Sequence, residues 1–274
     1  MIVLSLVLIG VITGLTTVLF GFGGGFVTVP VIVWADAVVG PQAGTVAIAT
    51  SAVVMVVNAS VATATTSRQT LSHLRGRGAL VVLLAVGGLL GAVVALLVPP
   101  GISSWGFMAY VAVTIVDVLV RPGFVRSVDT TPDGVSRSAI PTAWGLPIGA
   151  IASLLGVGGS VMTVPLLRRG GSPMSQATTL ANPLTLAISV PAAVVYLFAR
   201  HDEGAGGMVL AVGVVDLGAA ALLLVGAVPI IVLLRRRPPR IPDRVHAWTY
   251  VGLLVVALGA MLVSSLPTSP VPVE

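Results

Sequence analysis

The chain has 274 residues, of which 56% are hydrophobic and 8% charged, with a mean hydropathy of +1.10. Soluble domains carry roughly 25% charged residues, so this composition excludes a water-soluble globule and predicts an all-α polytopic membrane protein. The formal charge of +5 comes from arginines gathered in a few loops, with no lysine, so nucleic acid is not an expected partner; the absence of Cys excludes disulfides, thiolate metal sites and cysteine nucleophiles together.

Apolar runs long enough to cross or enter a bilayer lie near residues 2–20, 43–65, 79–98, 104–120, 142–155, 177–199, 208–234 and 247–266. The first of them lacks a basic n-region and a cleavage site, so it reads as a membrane segment and not as a signal peptide. Two shorter runs, about 26–34 and 160–167, each follow a glycine cluster. The expected organisation is a first transmembrane repeat over 1–120, a polar cytoplasmic linker over 121–141, a second transmembrane repeat over 142–266 and a Pro-rich disordered tail over 267–274. Gly10/Gly14, Gly87/Gly91 and Gly145/Gly149 have the small-xxx-small spacing of close helix contacts.

The two glycine clusters are copies. Gly21-Phe22-Gly23-Gly24-Gly25-Phe26-Val27-Thr28-Val29-Pro30 recurs as Gly156-Val157-Gly158-Gly159-Ser160-Val161-Met162-Thr163-Val164-Pro165, at an offset of 135. From Gly10 to Pro30, nine of 21 positions are identical without a gap. The chain therefore reads as an internal duplication.

The arginines decide how the copies insert. If residues 2–34 and 142–167 were unbroken crossings, the arginines would divide seven against seven, against the positive-inside rule. If each glycine cluster is instead the tip of a hairpin that turns within the membrane, they divide 13 against one, with only Arg200 on the far side. That arrangement predicts two inverted repeats. Each has a Gly-tipped re-entrant or broken helix plus three transmembrane helices, and both chain termini are extracytoplasmic. Inverted repeats around broken helices are a transporter architecture with the site near the midplane.

Each cluster leads into the start of a helix, where N–H groups and the positive end of the helix dipole attract anions. Gly23, Gly24 and Gly25 with Gly158, Gly159 and Ser160 are therefore the candidate anion-binding tips. Polar residues on the following helices complete the expected site: Thr45, Thr50 and Ser51 in the first half, Thr179, Asn182 and Thr185 in the second. Asn58 dots the same first-half helix, and Asn182-Pro183 with Pro191 predicts a broken or kinked helix beside the site. Of the acids set in apolar runs, Asp216 is the candidate for proton coupling. Asp117 lies four residues before Arg121 and can pair with it, and Asp36 reads as interfacial. His73, His201 and His246 fall in expected loops, so no metal site and no cofactor is expected.

These clusters, the Ala43-Gly44-Thr45 stretch and the basic His73-Leu74-Arg75-Gly76-Arg77-Gly78 segment resemble the TauE/SafE sulfite exporter family, the toluene-sulfonate uptake permease group, over nearly the whole chain. The resemblance implies an inner-membrane permease for sulfur-containing anions such as sulfite, sulfonates or sulfoacetate. Ser160 and Ala177-Thr178-Thr179-Leu180 depart from the pattern that the family shows in its second half. The expected partners are a small anionic substrate and the lipid bilayer, and a homodimer stays open. An anion channel, or a transporter of a non-sulfur carboxylate or oxyanion, is the competing reading. An intramembrane enzyme is disfavoured, for the chain has no His-Glu-x-x-His and no Gly-x-Ser-x-Gly.

Overall fold

The computed structural model describes residues 2–27, 43–125, 140–199 and 210–265. The expectations placed on Thr28 to Pro30, Asp36, Gln42, the linker from Arg126 to Ser138, Arg200, His201 and the tail from Pro267 fall outside these residues.

The fold is carried by α1 (Ile2–Phe20), α2 (Ala43–Ala64), α3 (Gly78–Leu97), α4 (Pro100–Val120), α5 (Gly145–Leu154), α6 (Ser160–Arg169), α7 (Met174–Phe198), α8 (Leu217–Arg236) and α9 (Asp243–Ser265). Seven of these are long and apolar enough to cross a membrane, and α5 and α6 are short. The strand content of the described residues is a single tight hairpin, β1 (Ala211–Val212) on β2 (Val215–Asp216). Large apolar side chains such as Leu4, Leu8, Val82, Val113 and Val256 stand exposed on the outside. In water such a surface would aggregate, and in a bilayer it is solvated. The chain is a multi-pass membrane protein.

Lipid tails are as apolar as leucine, so burying leucine drives little helix association in a membrane. Close backbone approach takes its place. The glycine pairs supply that approach, and they do so between the two halves. Gly10 and Gly14 of α1 press on α8, where a Cβ added at Gly14 would stand 2.6 Å from the Ala227 carbonyl oxygen. Gly226 of α8 answers against Val7 and Val11. In the same way Gly145 and Gly149 of α5 face Leu80, Leu84 and Gly88 of α3, while Gly87 and Gly91 of α3 face Leu146 and Ala150 of α5. The first helix of each half thus packs on a helix of the other half, α1 on α8 and α5 on α3. Between these pairs, α2 and α7 lie against each other at the centre.

The second glycine cluster is a point of chain reversal. Where α5 ends, its Ser153 carbonyl accepts from the Tyr196 hydroxyl, near the end of α7. From Gly159, which faces Ile188, α6 runs back toward the start of α7. There one carboxylate, Asp243, holds both Arg168 of α6 and the Met174 N–H. The return arm of the first cluster beyond Val27 lies outside the described residues.

Three expectations need correction. His246 is not in a loop. It sits buried in the first turn of α9, and its Nε2 meets the Leu19 carbonyl at the end of α1. Of the broken or kinked helix expected at Asn182-Pro183 and Pro191, the break is what is overturned, since α7 runs through both. Pro183 has no N–H to give to Thr179, and Asn182 Nδ2 lies 3.5 Å from that carbonyl and 3.3 Å from that of Thr178, so a side chain stands in for the lost backbone donor. The apolar run at 208–234 is not one span either, because the β-hairpin occupies its first residues and α8 starts only at Leu217.

Gly14→Ala is expected to lower the melting temperature of the detergent-purified protein by several degrees, corresponding to ~1–3 kcal/mol of overpacking. Gly259→Ala, with nothing within 4 Å of the added methyl, is expected to be neutral or slightly stabilising, since Ala is the better helix former by ~1 kcal/mol. Equal melting of the two variants would mean that glycine contact does not hold α1 to α8.

Candidate functional site: the two glycine tips

Both helices that enter a tip end on a glycine in the left-handed region. Gly21 has φ +75° and its N–H donates to the Thr17 carbonyl at 3.1 Å, closing α1 with a single left-handed cap. Gly156 has φ +66°, its N–H donates to Ser153 at 3.2 Å, and the next N–H, of Val157, donates to Ala152 at 3.0 Å. This pair of bonds is a Schellman cap. The match between the two glycine clusters therefore extends to the backbone angles, and Gly23 and Gly158 continue it with φ +64° and +69°. The copies separate at the next position, where Gly24 has φ +112° and Gly159 has φ −74°. Only the first copy thus requires glycine there on conformational grounds.

The tips touch. A Cβ at Gly25 would overlap the Gly156 carbonyl oxygen and stand 2.6 Å from Met55 Sδ. A Cβ at Gly158 would stand 3.3 Å from the Phe22 carbonyl oxygen. This accounts for the one glycine of the motif that the second copy does not repeat. Gly25 has no room for a side chain, whereas Ser160 at the matching place carries one. Thr185 of α7 lies between the tips, its Cγ2 2.9 Å from a Cβ built at Gly23 and 3.0 Å from one built at Gly158. From α2, Asn58 Nδ2 donates to the Gly23 carbonyl at 3.3 Å, and Ser51 Oγ lies 3.3 Å from the Gly156 carbonyl, its firmer bond being to Ile48 at 2.8 Å.

Around this contact stand buried polar atoms with no hydrogen-bond partner among the described residues: Thr13 Oγ1, Asn58 Oδ1, Ser160 Oγ, Thr163 Oγ1, Asn182 Oδ1 and Thr185 Oγ1. Buried polar groups are nearly always paired, and each exception calls for a reason. Neither α6 nor its Gly159 cap position gains a side-chain hydrogen bond at the N-terminus. The arrangement offers hydroxyls, amides and a helix start without formal charge, a set suited to holding an anion loosely.

Of the residues expected here, Gly23, Gly24, Gly25, Ser51, Gly158, Gly159, Ser160 and Thr185 gather at the tips. Asn182 lies one turn before Thr185 on α7. The others sit elsewhere. Thr45 is half-buried in the first turn of α2. Thr50 accepts from the Asp216 N–H at 3.0 Å, and Asp216 Oδ1 in turn accepts from the Ala219 N–H at 3.0 Å as the N-cap of α8. Thr179 Oγ1 donates to Ser175 at 2.7 Å and accepts from Arg235 at 3.1 Å. Asp117 pairs with Arg121 at 3.2 Å and with Arg169 at 2.7 Å. Sequence reasoning passed over Thr13, Thr163 and Asn58 as ligands. Thr163 was marked by the repeated Thr-Val-Pro, but Thr13 carries no local signal.

The arm that leaves the second tip is anchored at both ends. Pro165 has no N–H to offer the Val161 carbonyl four residues back, and the Tyr250 hydroxyl of α9 donates to that carbonyl at 3.2 Å. Tyr250 is itself enclosed by Phe20, Phe22 and Phe124, with ring centroids 5.2 to 6.1 Å away. At the other end Arg168 donates to the Phe124 and Ser172 carbonyls and to Asp243, and Arg169 bonds Asp117.

A comparison with protein families matches residues 6–262 to the family described as Sulfite exporter TauE/SafE. No curated protein and no solved structure matches the chain.

Tyr250→Phe removes one hydroxyl and leaves the Val161 carbonyl unpaired in the interior. The expected loss is ~1–3 kcal/mol of stability, read as a lower melting temperature. An unchanged melting temperature would mean that Tyr250 holds α6 through its ring alone.

Proposed function

The chain belongs to the TauE/SafE sulfite exporter family, and from that premise we propose that it is a secondary transporter of small sulfur-containing anions such as sulfite, sulfonates or sulfoacetate. The anion is held where the two glycine tips meet. The observation that carries this reading is Thr185, whose methyl stands against Gly23 and Gly158 together and whose buried hydroxyl has no partner among the described residues. Thr13, Asn58, Ser160 and Thr163 add further polar atoms in need of a ligand. Among the described residues no formal charge lies at the tips, which on this reading keeps binding weak enough for release. Selectivity then comes from the number and direction of hydrogen-bond donors.

The mechanism we infer is alternating access between two inverted repeats, the tips parting from one side and then the other. The exchanged packing of α1 on α8 and α5 on α3 is what two interlocked repeats would give, and so is the excess of arginines at one end. On this reading the protein lies in the inner membrane with both termini outside the cytoplasm.

Thr185→Val tests the reading, for the two side chains are nearly isosteric. If Thr185 serves the fold, Val destabilises the protein. If it serves the anion, the melting temperature holds or rises, because an unsatisfied hydroxyl has gone. Saturable uptake of radiolabelled sulfite into proteoliposomes then falls by about tenfold, the effect of one lost hydrogen bond to an anion. Normal flux in Thr185→Val and in Gly158→Ala would remove the tips from the transport path, and flux that never saturates would favour a channel.

A further inference from the structure

Arg235, Arg236 and Arg237 close α8, and cations at the end of a span ordinarily anchor it among headgroups. Arg236 and Arg237 are exposed as that role requires. Arg235 departs from it. Its Nη1 donates to Thr179 Oγ1 at 3.1 Å, and its Nε and Nη2 are covered by protein with no partner among the described residues. The described ion pairs use Arg121, Arg168 and Arg169, and none uses Arg235. Arg77 and Arg169 each leave one covered nitrogen unpaired, whereas Arg235 leaves two. Buried Arg168 is the contrast, since all three of its nitrogens have acceptors. The two idle atoms of Arg235 form one edge of the guanidinium, the edge that grips two oxygens of an oxyanion side by side. A covered cation without its counter-ion is costly, and it is explained if the counter-ion is a ligand.

Position supports this. Thr179 precedes Thr185 by six residues on α7, about 9 Å along the axis, with Asn182 and its unpartnered Oδ1 between them. Gly21 of the first tip lies against the Thr178 carbonyl, at the same level. We propose that Arg235 and Thr179 form a second anion site, a charged station for a small oxyanion between the tips and the arginine-rich end of the molecule. The proposal rests on the transport reading only in taking its ligand to be the transported anion. A lipid phosphate offers the same chemistry, but the idle nitrogens are covered, which favours an ion that enters from within.

The test measures melting of the full-length purified protein against sulfite, with chloride at equal ionic strength as the control and added phosphatidylglycerol as a separate arm. Arg235→Met is expected to melt at or above wild type without ligand, because an unpaired cation has been removed. Its half-maximal sulfite concentration should rise by about tenfold or more, the size of a lost charge-assisted contact. Arg235→Lys, which keeps the charge without the fork, should fall between the two and carries the test if Arg235→Met does not fold. Wild-type sulfite response in both variants overturns the proposal, as does a difference from wild type that appears only with phosphatidylglycerol. Loss of the response in Gly158→Ala alone would leave the tips standing and remove Arg235. Loss in the Arg235 variants alone would do the reverse. No response in the wild type would overturn both.

Discussion

Backbone that leaves a helix inside a membrane loses its hydrogen bonds and has no water to replace them, and the interior of this protein is arranged around that problem. Each glycine tip exposes the last carbonyls of one helix. At the first, Gly21 takes the Thr17 carbonyl and His246 reaches that of Leu19. At the second, Gly156 and Val157 take two carbonyls and Tyr196 shares one of them. Tyr250 repairs the gap that Pro165 opens, and Asn182 does the same for Pro183. Tyr196, His246 and Tyr250 are thus hydrogen-bond donors held in place by packing, and α7 and α9 carry them to the right depth.

Much of this was legible in the sequence and part of it was not, for a physical reason. A left-handed cap must be glycine, so the tips were written in residue type and written twice. Packing glycines were visible from their spacing, though not that they would bind the opposite half. What no local pattern could reveal were donors that act over long separations. His246 meets residue 19, Tyr250 meets residue 161, and Asn58 meets residue 23. Thr179 stands away from the tips because it precedes Thr185 by six residues on α7, where Arg235 of α8 bonds it. Asp216 looked like a carboxylate in the middle of an apolar run only because the two turn residues and the other three strand residues are apolar as well. Once α8 is seen to start at Leu217, the acid is an ordinary N-cap.

The two glycine clusters are alike in their turns and unlike in the charges that follow them. Arg168 and Arg169 tie the end of α6 to α4 and α9, while the residues at the same offset in the first copy are Val33 and Trp34. Gly25 excludes a side chain that Ser160 carries. The second arm is therefore fastened by ion pairs at its end and offers a hydroxyl at its start, so the two halves of the site are chemically distinct although their glycine caps superpose in angle.

The packing of α1 on α8 also sets the order in which the molecule can be assembled. The Gly10 and Gly14 face of α1 is built to meet a helix that begins about 200 residues later. At ~5–20 residues per second of synthesis, α1 waits on the order of ten to forty seconds in the bilayer with that face covered only by lipid. The fold is complete only when α8 and α9 have been inserted. A ribosome that stalls before residue 217 would leave behind no half-transporter, only a bundle with a groove where its own last helices belong.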